Sequence, residues 1–339
     1  MKILVLGYFG YVTNQIDGQT IKTRDIYSVL KQNCVENIDY FDTQSFKVSK
    51  INLIKMLWKV ITADKIFYLP AQNNLKYLFP VIFALCKIFN TKLNYLVVGG
   101  WLYNFLKDKE IHRWMLKNIE GIYTETENLY VNLQNYDFNN IGKLHNFRIV
   151  EDFIDKTIKK DNFVNMVFMA RVHPLKGVDV LFEIEKKLIA LDKNNFSIHV
   201  YGPIFKDYEE EFSEKIKNSL IEYKGILEPE DVHKVLINYD MMLFPTKYYT
   251  EGFPGTILDA YIAMMPVVAT NWLNACEFIE QGKTGYIVEF DNEQSFVNKT
   301  VDLVCQPNQI FDLHENICSK RKAYSADQAW EILEQIIYR

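Results

Sequence analysis

The sequence predicts an α/β protein made of two Rossmann-like, doubly wound domains. Its 339 residues are too many for one typical domain of roughly 150 residues. Short apolar runs alternate along the chain with segments of helical length, which is the pattern of parallel strands joined by crossover helices. With 49% hydrophobic and 24% charged residues, the chain has enough apolar side chains for two large cores.

The first βα series begins at the N-terminus. Residues 2–6 form an aliphatic run that stops at Gly7, as a strand buried on both faces would. We expect further strands at 65–69, 93–98 and 121–123, and helices at 19–31 and 52–61.

A second series follows the polar stretch 151–162. We expect its strands at 166–170, 197–201, 221–224, 241–244, 267–270 and 286–289, and its helices at 178–191, 208–219, 229–237 and 256–263. The sequence therefore predicts one domain over residues 1–158 and a second over 159–320. Residues 321–339 are expected to form a helix that returns to the first domain.

Cysteine usage and the N-terminus predict a cytoplasmic location. The five cysteines are scattered and include no Cys-x-x-Cys pair, which suits a reducing compartment. The apolar stretch after Met1 is too short for a signal peptide. No apolar run reaches the roughly 20 residues that cross a bilayer, so no membrane span is expected.

Charge is divided unevenly between the two halves. Residues 1–150 contain 18 Lys and Arg against 12 Asp and Glu, whereas the remainder is acidic. Residues 47–92 contain eight lysines and only one acidic residue, Asp64. The lysines are interspersed with apolar residues such as Trp58. Two interpretations stay open: an anionic membrane surface as a partner, or the solvated face of ordinary amphipathic helices. No nucleic-acid partner is expected.

The strongest local motif runs from Glu251 through Gly252-Phe253-Pro254-Gly255-Thr256 to Asp259. It follows a predicted strand and opens a predicted helix. The amides and partial positive charge at a helix N-terminus suit a diphosphate. Glu251 and Asp259 lie eight positions apart, so we expect them to contact different parts of one extended ligand, the sugar and the ribose.

A second motif places Arg171 and Lys176 between a predicted strand and the next helix. Ligands of open α/β sheets bind at this carboxyl edge. Two cations there could offset the charge that grows on a departing diphosphate. The alternative interpretation is a pair of ordinary surface cations near a turn.

These motifs, with Tyr201-Gly202, Gly225 and Gly282-Lys-Thr-Gly285 in the same order, resemble the retaining glycosyltransferases of family 4. That resemblance implies the GT-B fold, in which two Rossmann-like domains face each other across a cleft. It implies an N-terminal domain that binds the acceptor and a C-terminal domain that binds a nucleotide-diphosphate sugar. The acceptor would be a glycan or a lipid-linked glycan in cell-surface polysaccharide synthesis, and the enzyme would be cytoplasmic or peripheral on the inner membrane face.

The resemblance also implies roles for individual residues. Arg171 and Lys176 match the cations that bind the diphosphate, and Glu251 matches an acid at the reacting sugar. Asp259 stands where the family usually has a glutamate for the ribose. The matching donor-binding residues are Gly18, Gly202, Gly252, Phe253, Pro254, Gly255, Thr256 and Asp259. The His that many relatives carry after a later N-domain strand has no match here, because that run reads Val97-Val98-Gly99-Gly100-Trp101.

No cofactor and no metal are expected. The chain has no Asp-x-Asp pair, and its six histidines lack metal-ligand spacing. The resemblance therefore implies a retaining glycosyltransferase, and the missing metal motifs predict that it is metal-independent. The open alternatives are a nucleotide-sugar 2-epimerase of the same fold, a non-catalytic subunit of a polysaccharide assembly and, without a dinucleotide fingerprint to support it, a dehydrogenase.

Overall fold

The computed structural model describes residues 1–150, 156 and 162–339. The chain divides into two compact units, Met1–Val150 with Tyr324–Arg339, and Glu151–Ala323. The boundary predicted between residues 158 and 159 lies outside the described residues. Each unit contains a six-stranded parallel sheet, so two Rossmann-like α/β domains are confirmed.

The sheet of the first unit has the strand order β2-β1-β3-β4-β5-β6. Its strands are β1 (Lys2–Gly7), β2 (Asn37–Asp42), β3 (Lys65–Leu69), β4 (Lys92–Leu96), β5 (Gly121–Thr124) and β6 (Ile141–Lys143). Between them lie α1 (Gly18–Asn33), α2 (Ile51–Ile61), α3 (Gln72–Tyr77), α4 (Phe79–Phe89), α5 (Leu102–Leu106), α6 (Glu110–Lys117) and α7 (Glu127–Gln134). Helix α1 begins where it does because Asp17 and Thr20 form a reciprocal capping box.

The sheet of the second unit has the order β12-β11-β10-β7-β8-β9. Its strands are β7 (Val164–Met169), β8 (Phe196–Tyr201), β9 (Glu222–Tyr223), β10 (Met241–Phe244), β11 (Val267–Thr270) and β12 (Gly285–Val288). Its helices are α8 (Asp179–Ala190), α9 (Glu209–Lys217), α10 (Val232–Leu236), α11 (Gly255–Ile262), α12 (Ala275–Phe278), α13 (Glu293–Cys305), α14 (Asn308–Phe311) and α15 (His314–Arg321).

The last helix, α16 (Ala326–Tyr338), belongs to the first unit. It packs beside α1, and its buried Leu333 and Ile336 join a core with Ile3 and Val5 of β1. The opposite face of the sheet is covered by α2 to α7, whose apolar residues form a separate core. The first unit is therefore doubly wound, with the chain terminus completing one of its two helical layers.

Lys65 departs from its predicted surroundings. The sequence pattern grouped it with surface lysines, yet it is buried and its Nζ donates to the carbonyl oxygens of Ile336 and Ile337 at the end of α16. Cations suit a helix C-terminus. Burial lowers the pKa of this ammonium group. Lys65 therefore holds α16 rather than contributing a surface charge.

Two edge strands, β2 and β6, were not predicted. β2 carries Asn37, Asp39 and Asp42 and is half exposed, and β6 has only three residues. Because each lies at an edge of the sheet, neither needs the continuous apolar run of a central strand. The predicted strands and helices occur with ends that differ by at most three residues, except that the C-terminal helix predicted over 321–339 begins only at Ala326.

Candidate functional site

Three loops of the second unit meet at one edge of its sheet. β7 lies between β8 and β10 and pairs in parallel with both. The loops that follow these strands, 170–178, 202–208 and 245–254, therefore leave the sheet at the same carboxyl edge. This is the edge at which open α/β sheets bind ligands, and it holds the two motifs that the sequence singled out.

Two glycines bring these loops into direct contact. Gly177 has φ +77°, and a Cβ there would lie 1.8 Å from the carbonyl oxygen of Pro245. Gly202 has φ +132°, and its Cβ would lie 2.0 Å from the carbonyl oxygen of Ala170. Only glycine fits such close approaches at positive φ. The middle loop thus packs backbone to backbone against the loop on either side of it.

Lys176 and Glu251, 75 residues apart in sequence, form an ion pair where the loops meet. Two further side chains hold Glu251: Thr246 Oγ1 lies 3.4 Å from its carboxylate, and Asn274 Nδ2 donates to its carbonyl oxygen at 2.6 Å. Both members of the pair keep solvent access, with 30% of the Lys176 side chain and 15% of the Glu251 side chain exposed. The pair is fixed in place yet reachable by a ligand.

Helix α11 begins beside this pair. Thr256 Oγ1, in its first turn, donates to the carbonyl oxygen of Met169 at the end of β7 at 2.7 Å. The preceding turn is anchored by Phe253, which is buried and stacks on Phe278 with ring centroids 3.9 Å apart. The N-cap residue, Pro254, makes no side-chain hydrogen bond. The first amides of α11 are therefore not capped by their own N-cap side chain, and such amides attract anions.

The other predicted residues of this unit lie around the same edge. Arg171 is exposed, two residues beyond the end of β7. Asp259 lies one turn into α11 and is only 8% exposed. Its Oδ1 is 3.2 Å from Nε2 of His233. The structure thus places Arg171, Lys176, Glu251 and Thr256 at one sheet edge and Asp259 farther along the same helix.

Gly18 belongs to the other unit, at the first position of α1. A Cβ at Gly18 would meet nothing within 4 Å. Neither packing nor backbone geometry therefore requires glycine there, and its predicted role in donor binding stays a prediction.

Two contacting residues had been given no role from the sequence. Asn274 stands outside any motif, and its contact with Glu251 crosses from one loop to another. His233 is, in the sequence, only one of six histidines that lack metal-ligand spacing, but it contacts Asp259. An amide and a single imidazole have no sequence signature of their own, so only the fold could bring them to the site.

Among residues 1–150, 156 and 162–339, no three or more His, Cys, Asp or Glu side chains are grouped so that they could hold a metal ion. No helix there combines the length and apolar character that crossing a bilayer requires.

Comparison with solved structures defines the class of fold. The chain superposes with a TM-score of 0.76 on Alr3699/HepE of Anabaena, solved in complex with UDP-glucose, at 14% identity and over 100% of this chain and 99% of that one. The two parallel-sheet units thus form a GT-B fold. Residues 164–306, which contain the site, match the family model Glycosyl transferases group 1. This part of the chain is a glycosyl transferases group 1 domain.

Two curated proteins of Staphylococcus aureus are similar in sequence. One is the poly(ribitol-phosphate) alpha-N-acetylglucosaminyltransferase of strain COL, 24% identical over 233 residues, which are 66% of this chain and 46% of the relative. The other is the capsular polysaccharide biosynthesis glycosyltransferase CapM, 24% identical over 181 residues, which are 52% of this chain and 46% of the relative. These matches span less than half the length of either relative.

Proposed function

We propose that this protein is a retaining, metal-independent glycosyltransferase. It moves a sugar from a nucleotide-diphosphate sugar to a glycan or lipid-linked acceptor in cell-surface polysaccharide synthesis. The observation that carries the proposal is the ion pair between Lys176 and Glu251, which lies just before α11, a helix whose N-cap side chain makes no hydrogen bond. Cation, carboxylate and helix amides together fit a ligand with a diphosphate at one end and sugar hydroxyls at the other.

The diphosphate is held by positive charge from three sources: Lys176, Arg171 and the first amides of α11. Lys176 Nζ provides a mobile point charge, and Arg171 can bind two phosphate oxygens at once. These groups stabilise the negative charge that develops on the leaving diphosphate. They take the place of the divalent metal that other transferases use for the same purpose.

The sugar and the ribose are held by the two acids. Glu251 accepts hydrogen bonds from the hydroxyls of the donor sugar, while Lys176 moves from the carboxylate to the phosphates. Asp259 accepts from the ribose, and its contact with His233 orients the carboxylate. Because Asp259 is nearly buried, it is already ordered before the ligand arrives, which reduces the entropy cost of binding.

In the reaction, a bond forms between an acceptor oxygen and the anomeric carbon as the bond from that carbon to the phosphate oxygen breaks. The acceptor proton passes to the departing diphosphate on the same face of the sugar, so the configuration is retained. The N-terminal unit binds the acceptor, and Gly18 contributes to binding of the donor. Most of the rate comes from positioning and from stabilising the leaving group.

The comparisons suggest where to look for substrates. The curated relatives are described as a poly(ribitol-phosphate) N-acetylglucosaminyltransferase and a capsular polysaccharide glycosyltransferase, which supports a surface polysaccharide as acceptor. The solved structure of HepE contains UDP-glucose, which makes UDP-linked sugars the first donors to test.

The test has two stages. A thermal-shift screen of nucleoside diphosphates and their sugars should find a donor that raises the melting temperature, because a ligand that binds only the native state stabilises it. That donor is then incubated with EDTA, with and without oligosaccharide or lipid-linked acceptors, and the products are analysed by NMR.

We expect nucleoside diphosphate release and a retained glycosidic linkage only when an acceptor is present, with EDTA making no difference. A new nucleotide sugar formed without any acceptor would instead identify an epimerase. An inverted linkage or activity lost in EDTA would contradict the proposed mechanism. If no nucleotide raised the melting temperature, the proposal as a whole would fail.

A further inference from the structure

Helix α2 exposes a stripe of apolar side chains. Ile51, Ile54 and Trp58 are 66%, 68% and 65% exposed. Their spacing places them on one face of the helix, and Met56 and Val60 on another face are buried in the core. Single exposed apolar residues are ordinary, whereas an aligned set is a sign of an interaction surface.

The exposed stripe continues on the neighbouring helices. α4 packs against both α2 and α6. It exposes Val81 and Ile88, and α6 exposes Trp114, whose ring packs edge-on against Phe83 of α4 with centroids 5.6 Å apart. We call this surface the outer helical face and define it by Ile51, Ile54, Trp58, Val81, Ile88 and Trp114.

The charge around the outer helical face is strongly positive. Residues 47–117 contain twelve Lys and Arg against three Asp and Glu. Some lysines are occupied, since Lys59 pairs with Asp39 and Lys92 with Glu120. Others are exposed and make no ion pair among the described residues: Lys47, Lys50, Lys55 and Lys87. Three of these four lie on α2 or just before it.

Exposed apolar side chains together with a positive charge favour one kind of binding partner. A second copy of the chain would bring two lysine-rich faces together, and like charges repel across such an interface. An anionic bilayer complements both properties, because apolar side chains enter the acyl boundary while lysines reach the phosphate groups. Exposed tryptophans suit the same depth, since the indole ring is apolar with one polar group.

We infer that the outer helical face docks the N-terminal unit onto the surface of an anionic lipid bilayer, without crossing it. The inference concerns the first unit alone and does not depend on the chemistry proposed for the second.

The test is co-sedimentation of the full chain with phosphatidylcholine vesicles that contain or lack phosphatidylglycerol, at low and high salt. We expect binding only to the anionic vesicles and weaker binding at high salt. Replacing Lys47, Lys50 and Lys55 with Gln should weaken binding about a hundredfold, roughly fivefold for each charge. The matched control replaces Lys31, Lys186 and Lys206, which are exposed outside residues 47–117, and should change binding little.

The apolar contribution is tested separately. Ile54→Ser with Trp58→Ser should weaken binding to anionic vesicles about tenfold or more, while Val35→Ser with Leu220→Ser, at exposed apolar positions elsewhere, should not. Melting temperatures check that each variant is folded. Equal losses in the variants and their controls, or no vesicle binding by the wild type, would overturn the inference. So would a concentration-dependent dimer in ultracentrifugation that Trp58→Ser dissociates.

Discussion

Gly177→Ala tests whether the loops after β7 and β10 must touch for the site to form. The alanine Cβ would lie 1.8 Å from the carbonyl oxygen of Pro245, whereas such atoms normally stay more than 3 Å apart. A backbone carbonyl cannot rotate away as a side chain can. One of the two loops must therefore move by more than an ångström, and we expect this movement to displace Lys176 relative to Glu251.

The matched control is Gly282→Ala. Gly282 has φ +70°, close to the +77° of Gly177, but a Cβ there meets nothing within 4 Å. Backbone strain at positive φ should cost both variants about 1–2 kcal/mol. Gly177→Ala should lose a further ~1–3 kcal/mol from overpacking. In a unit of this size, each kcal/mol lowers the melting temperature by about 2–4 °C.

Thermal unfolding and donor turnover, measured on both variants, distinguish the effect of backbone strain at positive φ from the effect of displacing the loops. We expect the melting temperature to fall further for Gly177→Ala than for Gly282→Ala. Turnover at a temperature where both are folded should drop about a hundredfold in Gly177→Ala alone, because small displacements of positioned groups cost that much. If Gly177→Ala and Gly282→Ala lost equal stability and kept equal turnover, the site would not depend on the close packing of these loops.

Three further predictions address single side chains. Lys176→Met should lower kcat about 10²–10³-fold through lost leaving-group stabilisation. The control is Lys247→Met, because Lys247 is also 30% exposed but pairs with Glu293, and this variant should keep near-normal turnover. Similar losses in both variants would count against the role of Lys176. Burial lowers the pKa of His314 to about 4 from its ordinary 6.5. Between these two pH values the imidazole is protonated in the unfolded chain but neutral in the folded protein, so the free energy of unfolding falls as the pH drops below 6.5. In urea unfolding we expect about 2 kcal/mol to be lost between pH 7 and pH 5, and His314→Leu to remove this part of the pH dependence. Gly18→Ala should leave the melting temperature unchanged or slightly higher but reduce transfer; unreduced transfer would remove Gly18 from the donor site.

Much of the fold follows from local patterns in the sequence. The central strands β1, β3, β7 and β10 are short apolar runs with defined ends, and a parallel sheet buries them on both faces. The turn before α11 could be recognised because Gly252, Pro254 and Gly255 lie close together between a strand and a helix. These signals come from neighbouring residues, so they need no knowledge of the tertiary structure.

The contacts that define the site are not local. Lys176 and Glu251 are 75 residues apart, and Asn274 reaches Glu251 from yet another loop. Similarly, the apolar residues of α2 could not be divided into buried and exposed sets until its neighbours were placed. Lys65 had the sequence surroundings of a surface lysine, but the returning helix α16 buries it.

The proposed mechanism requires the edge formed by the loops after β7 and β10 to bind a diphosphate. Isothermal titration of the donor's nucleoside diphosphate, and of the corresponding nucleoside, measures this binding. We expect the diphosphate to bind the wild type at least about tenfold more tightly than the nucleoside, and Lys176→Met to remove most of that difference while Lys247→Met preserves it. Equal affinities for diphosphate and nucleoside in the wild type would contradict the proposed mechanism.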